Sequence, residues 1–164
     1  MKIKLAALAA MCALAVSGAG VAAQNANYVE RKQVSAAAAR KMVDACLAWA
    51  KAHNQNVGVA VVDLAGVPLD AHAMAGTAPQ GVESAMLKAK TSWHWQRSTA
   101  LLADDVSSKR NVASVWIEDF PRPGGMAIMI DGQFAGAIGV GGGRDDEACA
   151  RAGIEAVYGK DAAH

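Results

Sequence analysis

Several things are missing from this chain of 164 residues, and each absence narrows what it can be. The apolar run Leu5 to Val16 falls short of the roughly 20 residues that anchor a helix across a bilayer. No block of basic residues occurs: 16 lysines and arginines face 15 acidic residues, a balance that argues against nucleic acid as a partner. Neither His-x-x-x-His nor Cys-x-x-Cys spacing exists, so a structural zinc site is not expected. There is no Gly-x-Ser-x-Gly elbow around Ser84 or Ser98, and Thr99 has no nucleophile context either. The glycine-rich segment Gly136 to Gly143 ends without the Lys-Ser or Lys-Thr pair of a phosphate loop. No internal repeat marks a solenoid or a second domain.

The chain does begin with a pattern that reads as an export signal. Lys2 and Lys4 form a basic start, the apolar run follows, and Val21-Ala22-Ala23 offers a cleavage site before Gln24. Residues 1–23 are therefore expected to be a signal peptide and 24–164 a single domain in the periplasm or outside the cell, without a stable membrane anchor. Two of the three cysteines, Cys46 and Cys149, stay in the mature chain. In an oxidising compartment they could pair, or they could be two buried thiols on apolar helical stripes, and spacing alone does not decide.

A helix is predicted from Ser35, as its cap, to about His53. Ala39, Met42, Val43, Cys46 and Ala50 would form its buried stripe. Val57 to Val62 is a β-branched run that reads as a buried strand. Asp63 to Gly66 turns it into a second strand, which Pro68 confines to an edge or to its own first residues. The next helix covers roughly Val82 to Gln96, with Val82, Ala85, Met86, Ala89 and Trp93 as its core stripe. Its opposite arc carries Glu83, Leu87, Lys90, Thr91, His94 and Trp95, and a solvated face should not hold Leu87 and Trp95 together. That arc is expected to meet a ligand or another subunit. A shorter helix from Thr99 to about Val106, a strand over Asn111 to Ile117 and a proline-rich loop from Asp119 to Gly125 follow. Two apolar runs then flank Asp131-Gly132, the signature of a tight hairpin, and a last helix runs from about Asp145 to Tyr158. Its stripe is read as Cys149, Ala152, Gly153 and Ala156. Hairpin connections in this order imply an α+β domain with a mainly antiparallel sheet.

His94 between Trp93 and Trp95 is the clearest chemical candidate, because imidazole ligates haem iron and aromatic neighbours can pack a porphyrin. His72, on a strand near Met74, is the second choice, and His53 has a weaker claim. Glu83 and His94 share a helix face about 16 Å apart along the axis, too far to chelate one metal within a subunit. Asp104-Asp105 and Asp145-Asp146 read as helix-end charges. A different class of function would place Arg122 and Lys90 over a pocket floored by Gly124-Gly125, where cations and backbone N–H groups could take the carboxylate of a small organic acid.

The ordered set Val59-Ala-Val-Val-Asp63, Gly66, Glu83-Ser-Ala, Lys88, Trp95 to Thr99, Gly124-Gly125-Met126, Asp131-Gly132, Gly136 to Val140 and Asp146-Glu147 resembles the HbpS/GlcG-like haem-binding family. The resemblance covers nearly all of the mature chain. It implies a profilin-like fold, an antiparallel sheet of about five strands packed between helices, assembling into homo-oligomers. It further implies haem or a related tetrapyrrole as ligand, with a role in haem or iron stress in some secreted members. Others look like accessory proteins of small-acid metabolism. Thr99 matches a threonine associated with haem, and Glu83 matches an acidic position in the same helix. The Trp93-His94-Trp95 stretch and the insertion Phe120 to Pro123 depart from the family pattern. The expected cofactor-binding set is therefore His94, with metal-ligand duty, and Thr99, Trp95, Leu87, Glu83, His72 and Met74.

Overall fold

The computed structural model describes residues 27–110, 117 and 119–164. The signal peptide expected over 1–23 and nearly all of the strand expected over Asn111 to Ile117 lie outside the described residues. Arg31–His164 forms one unit, and of the unit before it only residues 27–30 are described, with Tyr28 and Val29 exposed.

Helix α1 spans Ala36–Ala52, with the Ser35 hydroxyl accepting from the Ala38 N–H, a cap that stabilises a helix start by about 1 kcal/mol. It buries Ala39, Met42, Val43, Cys46 and Ala50, the stripe that its 3.6-residue period dictates. Strand β1 is Gly58–Asp63, every residue buried. Asp63 folds back on itself: its Oδ1 accepts from the Ala65 and Val67 N–H groups, tying the turn into β2, Pro68–Ala73. Pro68 begins that strand and β2 lies at the edge of the sheet, so both outcomes open to a strand proline are realised. Helices α2, Gly81–Trp95, and α3, Thr99–Ser107, come next. The hairpin is β3, Gly125–Ile130, and β4, Gln133–Gly141, joined by Asp131 at φ 48° and Gly132 at φ 74°, the two positive angles of a I′ turn. Helix α4, Asp146–Tyr158, and a short 3₁₀ turn, Lys160–Ala162, complete the described chain.

The four described strands pair antiparallel in the order β2-β1-β4-β3. Helix α2 packs on one face, against β4, β1 and β3, while α1 and α4 pack together on the other. The domain is α+β, a sheet between helical layers, with four strands among the described residues where about five were expected. A Cβ on Gly139 would collide with the Ala85 carbonyl oxygen, so the glycines of β4 let α2 lie directly on the sheet rather than cradle phosphate. On the opposite face Gly153 plays the same part between α4 and α1, since a Cβ there would lie 2.8 Å from the Met42 carbonyl oxygen.

Cys46 and Cys149 are joined by a disulfide that staples α1 to α4 across 103 residues of chain. In the chain-entropy description a loop of that length stabilises the fold by about 4 to 5 kcal/mol. Two stripes need correction. On α4 the buried residues are Cys149, Ala150, Gly153 and Ile154, while Ala156 is exposed. On α2 they include Lys88, Thr91 and Ser92, whereas Val82, Met86 and Trp93 are only half-buried. Thr91 belongs to the inside and Trp93 to a cleft wall, because polar partners from the neighbouring loops take up the helix's hydrophilic side chains.

Candidate functional site

Two clefts open along α2, one towards each end. The first, of about 490 Å³, is the polar cleft by virtue of Gln80, Ser84, Lys88, Arg122 and Asp146, with the apolar Ala78 and Phe120 also in its lining. Lys88 is 4% exposed, yet its ammonium donates to Asp146 Oδ2 at 2.6 Å and to the Val140 carbonyl at 2.8 Å. The other oxygen of Asp146 accepts from the Gly143 N–H at 2.9 Å. Asp146 is thus committed to Lys88 and the glycine loop, a burden that its place at a helix start does not reveal. Gln55 fastens the same loop: its carbonyl accepts from the Arg144 and Asp145 N–H groups. The Arg122 guanidinium has no ion-pair partner among the described residues.

The second cleft, of about 470 Å³, is mixed in character: aromatic at Trp93 and His94, apolar at Leu87 and Ile117, charged at Lys90 and Asp119, with Gly66 beside them. Gly66, at φ +78°, brings the turn after β1 so near that a Cβ there would lie 3.0 Å from the Trp93 indole. The Trp93 Nε1–H donates to the Leu64 carbonyl at 2.9 Å, which fixes the ring against that turn. His94 is half in water, its side chain 49% exposed, and its Nδ1 lies 3.2 Å from Asp119 Oδ1. Asp119 Oδ2 accepts from the Trp95 Nε1–H. The carboxylate itself is only 6% exposed, and its neighbour Phe120 donates its N–H to the Thr91 hydroxyl at 2.8 Å. No Lys or Arg pairs with Asp119 among the described residues, and His94 Nε2 has no partner there.

The expected residues divide accordingly. Leu87 and His94 share the aromatic cleft, and Trp95 reaches it through Asp119. Glu83 is exposed on the same helix, outside the lining of either cleft. Thr99 is 1% exposed and committed to the proline-rich loop: its hydroxyl donates to the Arg122 carbonyl at 2.6 Å and accepts from the Gly125 N–H at 2.8 Å. His72 and Met74 sit elsewhere. His72 pairs with Val59, whose side chain belongs to the core beneath α1, and Asp70, two residues earlier, meets Arg40 of α1. Met74 packs on that same core. The sheet therefore stands between His72 with Met74 and His94 with Leu87.

The pocket envisaged for Arg122 and Lys90 is also redrawn. Arg122 lines the polar cleft and Lys90 the aromatic one, while Gly124 and Gly125 are buried. Lys88 takes the place given to Lys90, because it lies two residues earlier, on the side of α2 that faces the sheet and α4. Sequence reasoning gave no site role to Lys88, Asp119 or Gly66, although Gly66 and Lys88 belong to the set that carries the family resemblance. Lys88 carried a further signal, a lone cation among Ala85, Ala89 and Ser92 on an otherwise small-residue arc. Among the described residues no group of three or more His, Cys, Asp and Glu could hold a metal ion, and no helix is long and apolar enough to cross a membrane.

Comparison with known proteins places this architecture. No curated protein matches the sequence significantly. Among solved structures, a double mutant of HbpS from Streptomyces reticuli is 30% identical, with a TM-score of 0.72 over 84% of this chain and 96% of that one. The Klebsiella pneumoniae protein ORFY, at 20% identity, shares the fold with a TM-score of 0.76 over 82% of this chain and 97% of its own. PduOC, solved as a complex with haem, shares it at 24% identity with a TM-score of 0.71, over 76% and 95% of the two chains. The model of the family described as "Haem degrading protein HbpS-like" matches residues 34–155. With its sheet, helical layers and most of its sequence covered by that match, the chain belongs to the HbpS-like family.

Proposed function

We propose that this protein binds haem, or a closely related tetrapyrrole, in the aromatic cleft, with His94 as the iron ligand. The observation that carries the reading is the His94 ring itself. It is half-exposed at a cleft where Leu87, Trp93 and Ile117 stand among polar groups, its Nδ1 is held by Asp119, and Nε2 is left without a partner among the described residues. Metal-bound imidazoles are characteristically oriented in this way, by a carboxylate on the nitrogen remote from the metal. The residues fit the group: Leu87, Trp93 and Ile117 would pack the macrocycle, and the Lys90 ammonium would pair with a propionate. Trp95 would steady the histidine rather than touch the ligand, and Thr99 would act by fastening the loop that carries Asp119. Bound haem would supply any redox chemistry. Family membership supports the same ligand class, and PduOC lends the precedent that this fold accommodates haem. The reading extends to an exported, homo-oligomeric protein serving haem or iron-stress protection. Hemin added to the purified protein is expected to give a shifted Soret band that saturates, and His94→Ala is expected to weaken binding at least tenfold. An unshifted band, or a His94→Ala protein that binds like wild type, would overturn the assignment.

A second reading has one specific observation in its favour. In the polar cleft Arg122 carries a charge that no described group neutralises, beside the mutually compensated Lys88 and Asp146. A small carboxylate would suit a free guanidinium at the mouth of such a cleft. Stabilisation by acetate, lactate or citrate in a thermal-shift screen, abolished by Arg122→Gln, would support it; no stabilisation would exclude it.

A further inference from the structure

We propose that Asp119 is a positioning residue that fixes the tautomer of His94 and biases the aromatic cleft towards ferric rather than ferrous haem. The inference rests on the haem reading for its second half alone. An ionised carboxylate only accepts hydrogen bonds, so the nitrogen facing it must carry the proton. With Asp119 Oδ1 at 3.2 Å from Nδ1, neutral His94 is the Nδ1–H form, and the lone pair resides on Nε2. A free imidazole side chain in water prefers the opposite tautomer, whose Nε2 carries a proton and does not ligate. Asp119 thus converts a surface histidine into a standing metal ligand.

The carboxylate is itself held rigidly. The Trp95 indole donates to its second oxygen, and the next residue is pinned to Thr91, which is 2% exposed on α2. The indoles of Trp93 and Trp95 lie 6.3 and 5.8 Å from the imidazole centroid, both tilted against it. Three residues from two separated segments, Trp93, Trp95 and Asp119, therefore meet at one ring, and the Phe120–Thr91 bond holds the loop behind them.

The charge has a second consequence. Asp119 is 6% exposed, and no Lys or Arg among the described residues pairs with it. Its field is poorly screened by water, and it acts through a hydrogen bond to the ligating ring. A sheltered negative charge stabilises the more positive state of a bound metal, here Fe(III) over Fe(II).

Two measurements test the proposal. The first needs no haem: a long-range ¹H–¹⁵N correlation spectrum of the protein, at a pH where the ring is neutral, reports the His94 tautomer. The Nδ1–H form is expected in wild type and the Nε2–H form in Asp119→Ala. An Nε2–H signal in wild type, or no change in the variant, overturns the positioning role whether or not haem binds. The second compares Fe(III) with Fe(II) protoporphyrin affinity in wild type and in the isosteric Asp119→Asn. A fall of about tenfold in the Fe(III)/Fe(II) ratio is expected, since outer partners of metal ligands typically change affinity by that order. An unchanged ratio overturns the ferric bias. Absence of hemin binding by wild type would defeat the proposed function and, with it, that bias, while the tautomer result still decides the positioning role.

Discussion

Lys88 carries its charge into a place that water barely reaches, and Asp146 answers it 2.6 Å away. Removing one member of such a pair strands the other, which typically costs about 3 to 5 kcal/mol. Asp146→Asn is therefore expected to lower the stability measured by chemical denaturation by several kcal/mol, and Lys88→Met by less, because the apolar chain removes the desolvation cost along with the charge. The aromatic cleft depends on a smaller cause, the missing side chain of Gly66 beneath the Trp93 ring. Burial also raises the Tyr158 phenol above its ordinary value. A group protonated more tightly in the folded state contributes stability below its unfolded pKa, near 10, and loses it as the pH climbs through the folded value. Unfolding measured between pH 9 and 11 is thus expected to show a decline in stability that Tyr158→Phe reduces. An identical decline in the variant would mean that Tyr158 plays no part.

Among the elements, α1 and the hairpin could be read from sequence because each obeys one rule. The α1 stripe repeats at helical spacing with only apolar residues, and Asp131-Gly132 admits few other turns. Helix α2 obeys no single rule. Its small residues pack on a glycine-bearing strand, its lysine is paired from a distant helix, and its tryptophan serves a cleft, so a division into core and exposed arcs misplaces Thr91 and Trp93 and leaves Lys88 out. The arc of Leu87, Lys90 and His94 was nevertheless legible, because an apolar and aromatic presence on a polar face has no explanation within the helix. The disulfide was undecidable from spacing, since 103 residues separate its ends and only the meeting of α1 with α4 brings them together. Cys46→Ser with Cys149→Ser is expected to cost about 2 to 5 kcal/mol, visible as a lower Tm that reductant no longer changes. A reductant-insensitive wild type with the same Tm as the double variant would show that no bridge forms.

At the scale of the molecule, the sheet separates two sets of candidates that sequence placed together. His72 and Met74 stay on the α1 side, and His94, Leu87 and Trp95 gather on the α2 side around Asp119. That convergence was invisible beforehand, because Asp119 lies 25 residues from His94 and belongs to a loop without periodicity. Leu87, 38% exposed beside the cleft, also tests the proposed homo-oligomer. Leu87→Glu is expected to reduce the mass measured by light scattering if this arc is shared between copies; an unchanged assembly would show that the arc is not the interface. The proposed haem site requires His94, and not His72, as the iron ligand. Hemin titrated into wild type, His94→Ala and His72→Ala, followed at the Soret band, decides it most directly: binding should weaken at least tenfold in His94→Ala and stay at the wild-type level in His72→Ala. Loss in His72→Ala with full retention in His94→Ala would contradict it.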